Sequence, residues 1–318
     1  KEVSIKPFFI NHDEAFLRLF GELKGEKEKD ITLHIKDVEL SKIIPEVEDF
    51  AFSGIANGNA KIIQERGKYK PTSSIHVDEL KINEKELGRL AVDISGDENI
   101  TNYQINAVLQ NDNIRSLMVN GNLDFGFDTP YLNLNVELDK FDMSIFSALG
   151  DDVITNIRGF ASGTAYLEGD YANPDFEGTL TLDESGLKIP YLNTDFEFEN
   201  DARVKLDKKQ FIFQNVAMMD TKHFTSGRLN GFIEHEKFSD WKLGLDISSD
   251  RLLVLDKEQE EESLYFGTAF IKGNAQITGP TDELLVKVNA TTEKGTVFKI
   301  PISDSEAVGD NSFIRIMP

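Results

Sequence analysis

Leu132-Asn-Leu-Asn-Val-Glu-Leu-Asp139 decides the fold. Leu132, Leu134, Val136 and Leu138 alternate strictly with Asn133, Asn135, Glu137 and Asp139. Successive side chains of an extended strand point to opposite faces, so this octet has one apolar and one polar side. A helix would scatter the same four residues around its circumference. A slip of one residue in pairing would reverse every side chain, so the register of such a strand is well specified.

The pattern recurs outward in both directions. Tyr103, Ile105, Ala107 and Leu109 share one side of their segment, with Gln104 and Asn106 opposite. Phe196 and Phe198 pair up within Asp195-Phe-Glu-Phe-Glu199. Trp241, Leu243, Leu245 and Ile247 alternate with Lys242, Asp246 and Ser248, and Val286 and Val288 with Lys287 and Asn289. These residues are the candidate lining of a shared apolar surface. Gly54, Asn57-Gly58, Arg66-Gly67, Gly96-Asp97, Asn120-Gly121, Asn173-Pro174, Ser185-Gly186 and Gly279-Pro280 read as turns between strands. Asn11 to Leu23 fits a short helix or a strand. Leu40 to Val47 and Met143 to Leu149 read as helical turns, and the acidic stretch Leu255 to Glu262 as a helical turn or a loop.

An internal repeat orders these strands. Gly58-Asn-Ala-Lys-Ile62, Gly163-Thr-Ala-Tyr-Leu-Glu-Gly169 and Gly273-Asn-Ala-Gln-Ile-Thr-Gly279 resemble one another, their first glycines 105 and 110 positions apart. Each copy follows a helix-like or acidic segment. The chain therefore reads as one continuous β segment, 1–318, of repeat units near 1–140, 141–250 and 251–318, the last truncated. It is expected to be all-β with a few short helices. Its apolar side then faces either a self-packed core or a groove.

Composition narrows the function classes. Net charge is -22, from 56 acidic and 34 basic residues, and no Lys/Arg stripe is available to neutralise phosphates. Nucleic acid is therefore not an expected partner. The absence of cysteine removes thiol nucleophiles, Cys-type zinc sites and disulfides. His12, His34, His76, His223 and His235 are scattered, with no metal-ligand spacing, and no G-x-S-x-G elbow occurs. The densest carboxylate runs, Asp151-Asp152 and Glu260-Glu261-Glu262, read as solvated loops. No enzymatic activity, metal or cofactor is expected. A transmembrane β-barrel is disfavoured by one Trp and seven Tyr, too few for aromatic girdles. The chain starts without an initiator Met and stops inside a strand-like stretch, so it is expected to be an internal piece of a longer protein.

Against this background, Gly159-Phe-Ala-Ser-Gly-Thr-Ala-Tyr-Leu-Glu-Gly-Asp-Tyr-Ala-Asn-Pro-Asp-Phe-Glu-Gly-Thr-Leu-Thr-Leu182 resembles the recurring strand unit of the TamB/AsmA-like family. Gly186-Leu-Lys-Ile-Pro-Tyr-Leu-Asn-Thr194 continues it. Gly295-Thr-Val-Phe-Lys-Ile-Pro-Ile-Ser303, followed by Asp310-Asn-Ser-Phe-Ile-Arg-Ile316, is similar to Bacteroidota forms. The resemblance implies an elongated, U-shaped β-taco lying in the periplasm and anchored in the inner membrane. It further implies a hydrophobic trough for phospholipid acyl chains, or a scaffold for outer-membrane proteins working with a TamA/BamA-like barrel. The family's C-terminal partner-contacting region is not recognisable in these residues, so no residue is given that role.

Overall fold

The computed structural model describes residues 2–12, 15–42, 44, 50–150, 154–237, 239–259 and 264–301. Nineteen strands follow one another within them. The first nine are β1 (Glu2–His12), β2 (Ala15–Lys24), β3 (Glu28–Glu39), β4 (Phe52–Glu65), β5 (Lys68–Ile82), β6 (Lys85–Gly96), β7 (Asn102–Asn111), β8 (Ile114–Asp124) and β9 (Tyr131–Asp142). Then come β10 (Thr155–Asp170), β11 (Asp175–Ile189), β12 (Thr194–Phe198), β13 (Ala202–Lys208), β14 (Gln210–Asp220) and β15 (Ser226–Glu236). β16 (Ser239–Lys257), β17 (Phe266–Pro280), β18 (Leu285–Thr292) and β19 (Val297–Lys299) complete the series.

All nineteen belong to one antiparallel sheet, and nearly every strand pairs with its neighbours in sequence. Two positions in the ladder are shared. β12 and β13 both bridge β11 and β14, and β18 and β19 both pair with β17. Local pairing of this kind needs only short connections, several of them two-residue hairpins. Arg66 and Gly67 join β4 to β5 with φ of 54° and 89°, the doubly positive geometry that matches strand twist. The fold is thus all-β, an elongated antiparallel groove, as the alternation and the resemblance imply.

The helical segments are few and short. η1 (Leu40–Lys42), η2 (Met143–Gly150) and η3 (Pro190–Leu192) are 3-10 turns. They follow β3, β9 and β11, strands that all run toward the same edge of the sheet, called here the upper edge. Leu40 to Val47 is helical at Leu40–Lys42, and of its remaining residues only Ile44 lies among those described. Asn11 to Leu23 is extended, in β1 and β2. Leu255 to Glu262 begins as the end of β16.

Several expected turns lie inside strands instead. Gly54 and Asn57-Gly58 fall within β4, Asn120-Gly121 within β8 and Ser185-Gly186 within β11. The reason is visible at Gly58 and Gly163, the first residues of two repeat copies. Their φ values are 151° and 140°, and a Cβ there would sit 2.2 and 2.3 Å from the carbonyl oxygens of Ser74 and Thr179 on the next strand. Glycine lets neighbouring backbones approach and the sheet bend without interrupting pairing. Gly273, opening the third copy, has the same geometry.

A second device works beside these glycines. β3, β9, β11 and β14 each contain a bulge with one non-glycine residue of positive φ: Asp37, Lys140, Glu184 and Asn215. The extra residue's N–H loses its ladder partner. A polar side chain replaces that partner each time. Asp37 N–H donates to Asn57 Oδ1 (2.9 Å), Lys140 to Ser162 Oγ (2.9 Å), Glu184 to Asn200 Oδ1 (3.2 Å) and Asn215 to Asn230 Oδ1 (2.8 Å). Three of the four acceptors immediately precede a bending glycine: Asn57-Gly58, Ser162-Gly163 and Asn230-Gly231. A bulge bends its strand and strengthens local twist, so repeated bulges curl the sheet.

Candidate apolar trough

The register traces a single apolar face across the sheet. Leu132, Leu134, Val136 and Leu138 on β9 lie opposite Leu123, Gly121, Val119 and Leu117 on β8. Those residues in turn lie opposite Tyr103, Ile105, Ala107 and Leu109 on β7. Ile105, Ala107 and Leu109 then meet Ile94, Val92 and Leu90 on β6, and from Val92 the row continues through Ile75 on β5 and Gly58 on β4 to Ile35 on β3. On the other flank, β9 meets Gly163, Ala165 and Leu167 on β10, which face Leu180, Gly178 and Phe176 on β11. Phe196 and Phe198 on β12 join this face through Leu187 and Met218. Trp241, Leu243, Leu245 and Ile247 occupy it on β16, and Val286 and Val288 on β18. At strand centres this face carries no charged side chain among the described residues. Lys29, Lys208 and Asp220 stand on it only at strand ends.

The face is concave. Asn83, in the β5–β6 turn, donates from its side-chain amide to the Ile145 carbonyl of η2 at 3.4 Å. Between β6 and β9, which precedes η2, a flat sheet would interpose three ladder spacings, about 14 Å. The upper edge therefore curls over, and Ile145 belongs to one buried cluster with Val38, Leu40, Ala56, Val77 and Leu109. Farther along, Phe176 on β11 meets the His235 ring on β15 at 5.5 Å between centroids, although β13 and β14 lie between them. A second packed cluster runs from Ala161 to Leu252, and Leu138 touches both clusters, so the apolar surface is unbroken between them.

The sequence-predicted lining residues share this face but not one environment. Leu109, Phe196 and Leu243 are almost fully enclosed in packed interior, and Leu132 nearly so. Tyr103, Ile105, Leu134, Val136, Leu138, Phe198, Trp241, Leu245 and Ile247 are half-buried. Val286 and Val288 on β18 are more than half exposed. Alternation within one strand could not reveal that Leu19, Leu33, Ile75, Val92 and Leu167 join the same surface, because continuity is a property of register.

Aromatic rings close the lower edge of the later strands. Trp241 meets His235 at 5.4 Å and Phe211 at 6.5 Å between centroids. Lys209 Nζ donates to the Pro174 carbonyl (2.6 Å) and pairs with Asp175 (2.9 Å), tying the β10–β11 turn to the β13–β14 turn beneath the rings. Burial, helped by the nearby Lys209 charge, lowers the His235 pKa and keeps its imidazole neutral beside the apolar face. At the opposite edge Asp220 is fully buried. Burial alone would raise its pKa, but the Thr225 hydroxyl and the N–H groups of His223, Thr225 and Lys222 together outweigh burial and hold the carboxyl low. It serves as the closing bolt of the β14–β15 turn.

No group of His and acidic side chains suited to a metal ion occurs among the described residues, and Asp151-Asp152 and Glu260-Glu261-Glu262 lie outside them. No helix among the described residues is long and apolar enough to cross a membrane. The family model of the TamB C-terminal domain matches residues 214–318. The family's C-terminal domain is thus recognisable in these residues, contrary to the expectation for its C-terminal partner-contacting region, although the match gives no residue a partner-contacting role. No curated protein and no solved structure matches the chain.

Proposed function

We propose that this chain, a TamB-like protein by the match over its residues 214–318, holds phospholipid acyl chains in its apolar trough and conducts them between the two membranes of the bacterial envelope. The observation that carries this reading is the uninterrupted apolar row from β3 to β11, half-open to solvent along its centre. An acyl chain makes no hydrogen bonds, so its conduit needs apolar lining and a satisfied backbone. Burial of each methylene is worth about 0.8 kcal/mol, which holds a two-chain lipid out of water. Repetition of similar strands keeps affinity nearly uniform along the path, so no single position traps the cargo.

The dimensions suit a segment of such a path. With two ladder positions shared, the strands occupy seventeen positions, about 77 Å at ~4.8 Å per spacing. Placement in the periplasm within an inner-membrane-anchored protein, and a role without enzymatic chemistry, belong to the same proposal. A photoreactive side chain at Leu134, on the half-open stretch, is expected to capture phospholipid in cells. One at Leu243, almost fully enclosed, is expected to capture much less. Absence of any lipid adduct from position 134 would defeat the reading.

One observation favours a second reading. β1 and β18 each leave one strand edge unpaired among the described residues, and β1 exposes Phe8, Phe9 and Ile10. Such edges fit strand addition by an outer-membrane protein, with a TamA/BamA-like barrel as partner. Adducts from Phe8 to nascent barrel strands, without lipid adducts from position 134, would favour it.

A further inference from the structure

The opposite face of the sheet is polar, as alternation requires, yet it changes character along the chain. Across β10 to β16 one polar row passes through Tyr166, Glu177, Asp207, Gln210, Glu234 and Lys242, four of the six charged, as befits the surface of a chain with 28% charged residues. The same row across β3 to β9 passes instead through His34, Asn59, Ser74, Asp93, Asn106, Asn120 and Asn135. The adjacent row, from Phe20 on β2 to Asn133 on β9, is again built of hydroxyls and amides apart from Phe20 itself and Lys61. Apart from Asp93 and Lys61, neutral hydrogen-bonding groups take the place of charge over one stretch of an acidic protein.

That stretch is hollow. A trough of about 710 Å³ lies between β2 and β7, with Phe20 at one end and Asn106 at the other. The span from β2 to β7 is five ladder spacings, about 24 Å. Thr72, Ser74, Asp93, Ser95 and Asn106 line the hollow and are exposed, and their side chains make no hydrogen bond to other described residues, so their donors and acceptors are accessible to a ligand. A structural Asn ladder would instead show amide-to-amide bonds between strands.

We propose that this trough, on the face opposite the apolar one, binds an oligosaccharide chain. Sugars present many hydroxyls that both donate and accept, and Ser, Thr and Asn side chains do the same. Few ionic groups are needed, and few are present. The apolar C–H face of a sugar ring matches an aromatic ring, which Phe20 supplies at the trough's end, its ring held by Arg18 with Cζ 4.8 Å from the centroid. A span of several strands takes a chain rather than one sugar. A lipid tail would leave these polar groups unpaired, and an unfolded peptide would find no free strand edge in the middle of a sheet.

Calorimetric titration of the full chain with chitohexaose, and separately with maltohexaose, tests this. Saturable binding of at least one hexasaccharide is expected. Asn106→Ala and Asp93→Ala should each weaken it tenfold or more, and Ser74→Trp should abolish it by filling the hollow. All three positions are on the solvent side, so unchanged melting curves will confirm folding, and lipid capture from position 134 should persist in each. Failure of both sugars to bind, binding indifferent to these substitutions, or capture of unfolded peptide at this trough would each overturn the proposal. Because the lipid readout uses the other face, its failure and this one are separately visible.

Discussion

The strands from β2 to β9 and those from β10 to β17 share a ladder pattern yet use their concave face differently. In the earlier half the strand centres are aliphatic, with Leu33, Ile75, Val92, Val119 and Leu134 half-buried, and full burial is concentrated toward the curled upper edge. In the later half the face carries Phe176, Phe196, Phe211, Phe213 and Trp241, and Val204 and Leu206 are only 4% and 3% exposed. Bulky rings reach across two or three strands and meet, so the later half fills its own concavity. Aliphatic side chains are too short to do so, and the earlier half stays open along its lower edge. One periodic pattern thus yields a packed core or an available trough according to side-chain length.

The sharpest test places the same charge in each half. Val204→Asp puts a carboxylate in a site with no hydrogen-bond partner and should cost about 4 kcal/mol or more. Ile105→Asp, on the half-open stretch, keeps access to water and should cost about 1–2 kcal/mol while abolishing lipid capture nearby. Urea unfolding and amide exchange measure both. Because each strand rests mainly on its ladder neighbours, the Val204 variant should lose exchange protection chiefly around β11 to β14. Equal costs in the two halves would erase the distinction between core and trough.

Gly163 joins the halves, and its replacement should be nearly as damaging. Gly163→Val forces a Cβ to within 2.3 Å of the Thr179 carbonyl oxygen at a φ that branched residues avoid. A loss of about 3 kcal/mol is expected, with exchange protection falling on β10 and β11 together. A variant of full stability would show that the bend is not needed at that point.

How much of this was legible beforehand depends on which physical property set it. The facing of Leu132 to Leu138 follows from period two alone, and the structure keeps every residue of that octet where alternation puts it. Asn57-Gly58 misled, because Asn-Gly is a strong hairpin signal in isolation. Inside β4 the asparagine instead accepts the Asp37 N–H and the glycine admits a neighbouring backbone. The clue was present: Asn or Ser before Gly, within an unbroken alternating stretch and at the repeat position. What no local pattern could supply is burial. Leu109 and Ile105 sit four residues apart on one face of one strand, yet only Leu109 lies under the curled edge.

Asp220 offers a test confined to the closed half. Its pKa is held below that of a free carboxyl, so its contribution is fully present above the unfolded value, near 3.9, and disappears as pH falls through the lower folded value. Asp220→Asn should cost about 2 kcal/mol at neutral pH, since the bonds from Thr225, His223 and Lys222 lose their charged acceptor. The variant's stability should also fall less steeply than the parent's below pH 4. An identical acid profile would mean that the carboxyl titrates as it does in the unfolded chain.

The bulge locks predict the smallest effects, and they act alike in both halves. Asn57→Ala in the earlier half and Asn230→Ala in the later one each remove the acceptor for a bulge N–H. Each should cost about 1 kcal/mol, because water can reach part of the abandoned donor. Lys140→Gly tests the same device from the other side. Lys140 is exposed and holds φ of 50°, a conformation that costs a side-chain-bearing residue about 1 kcal/mol and glycine almost nothing. Glycine's greater freedom in the unfolded chain offsets part of that gain. A net stabilisation of about 0.5 kcal/mol is expected in urea unfolding, with the Ser162 bond retained. If instead Lys140→Gly destabilised the sheet, the bulge would depend on the lysine side chain itself, and curvature would be set by contacts particular to each half rather than by a backbone device common to both.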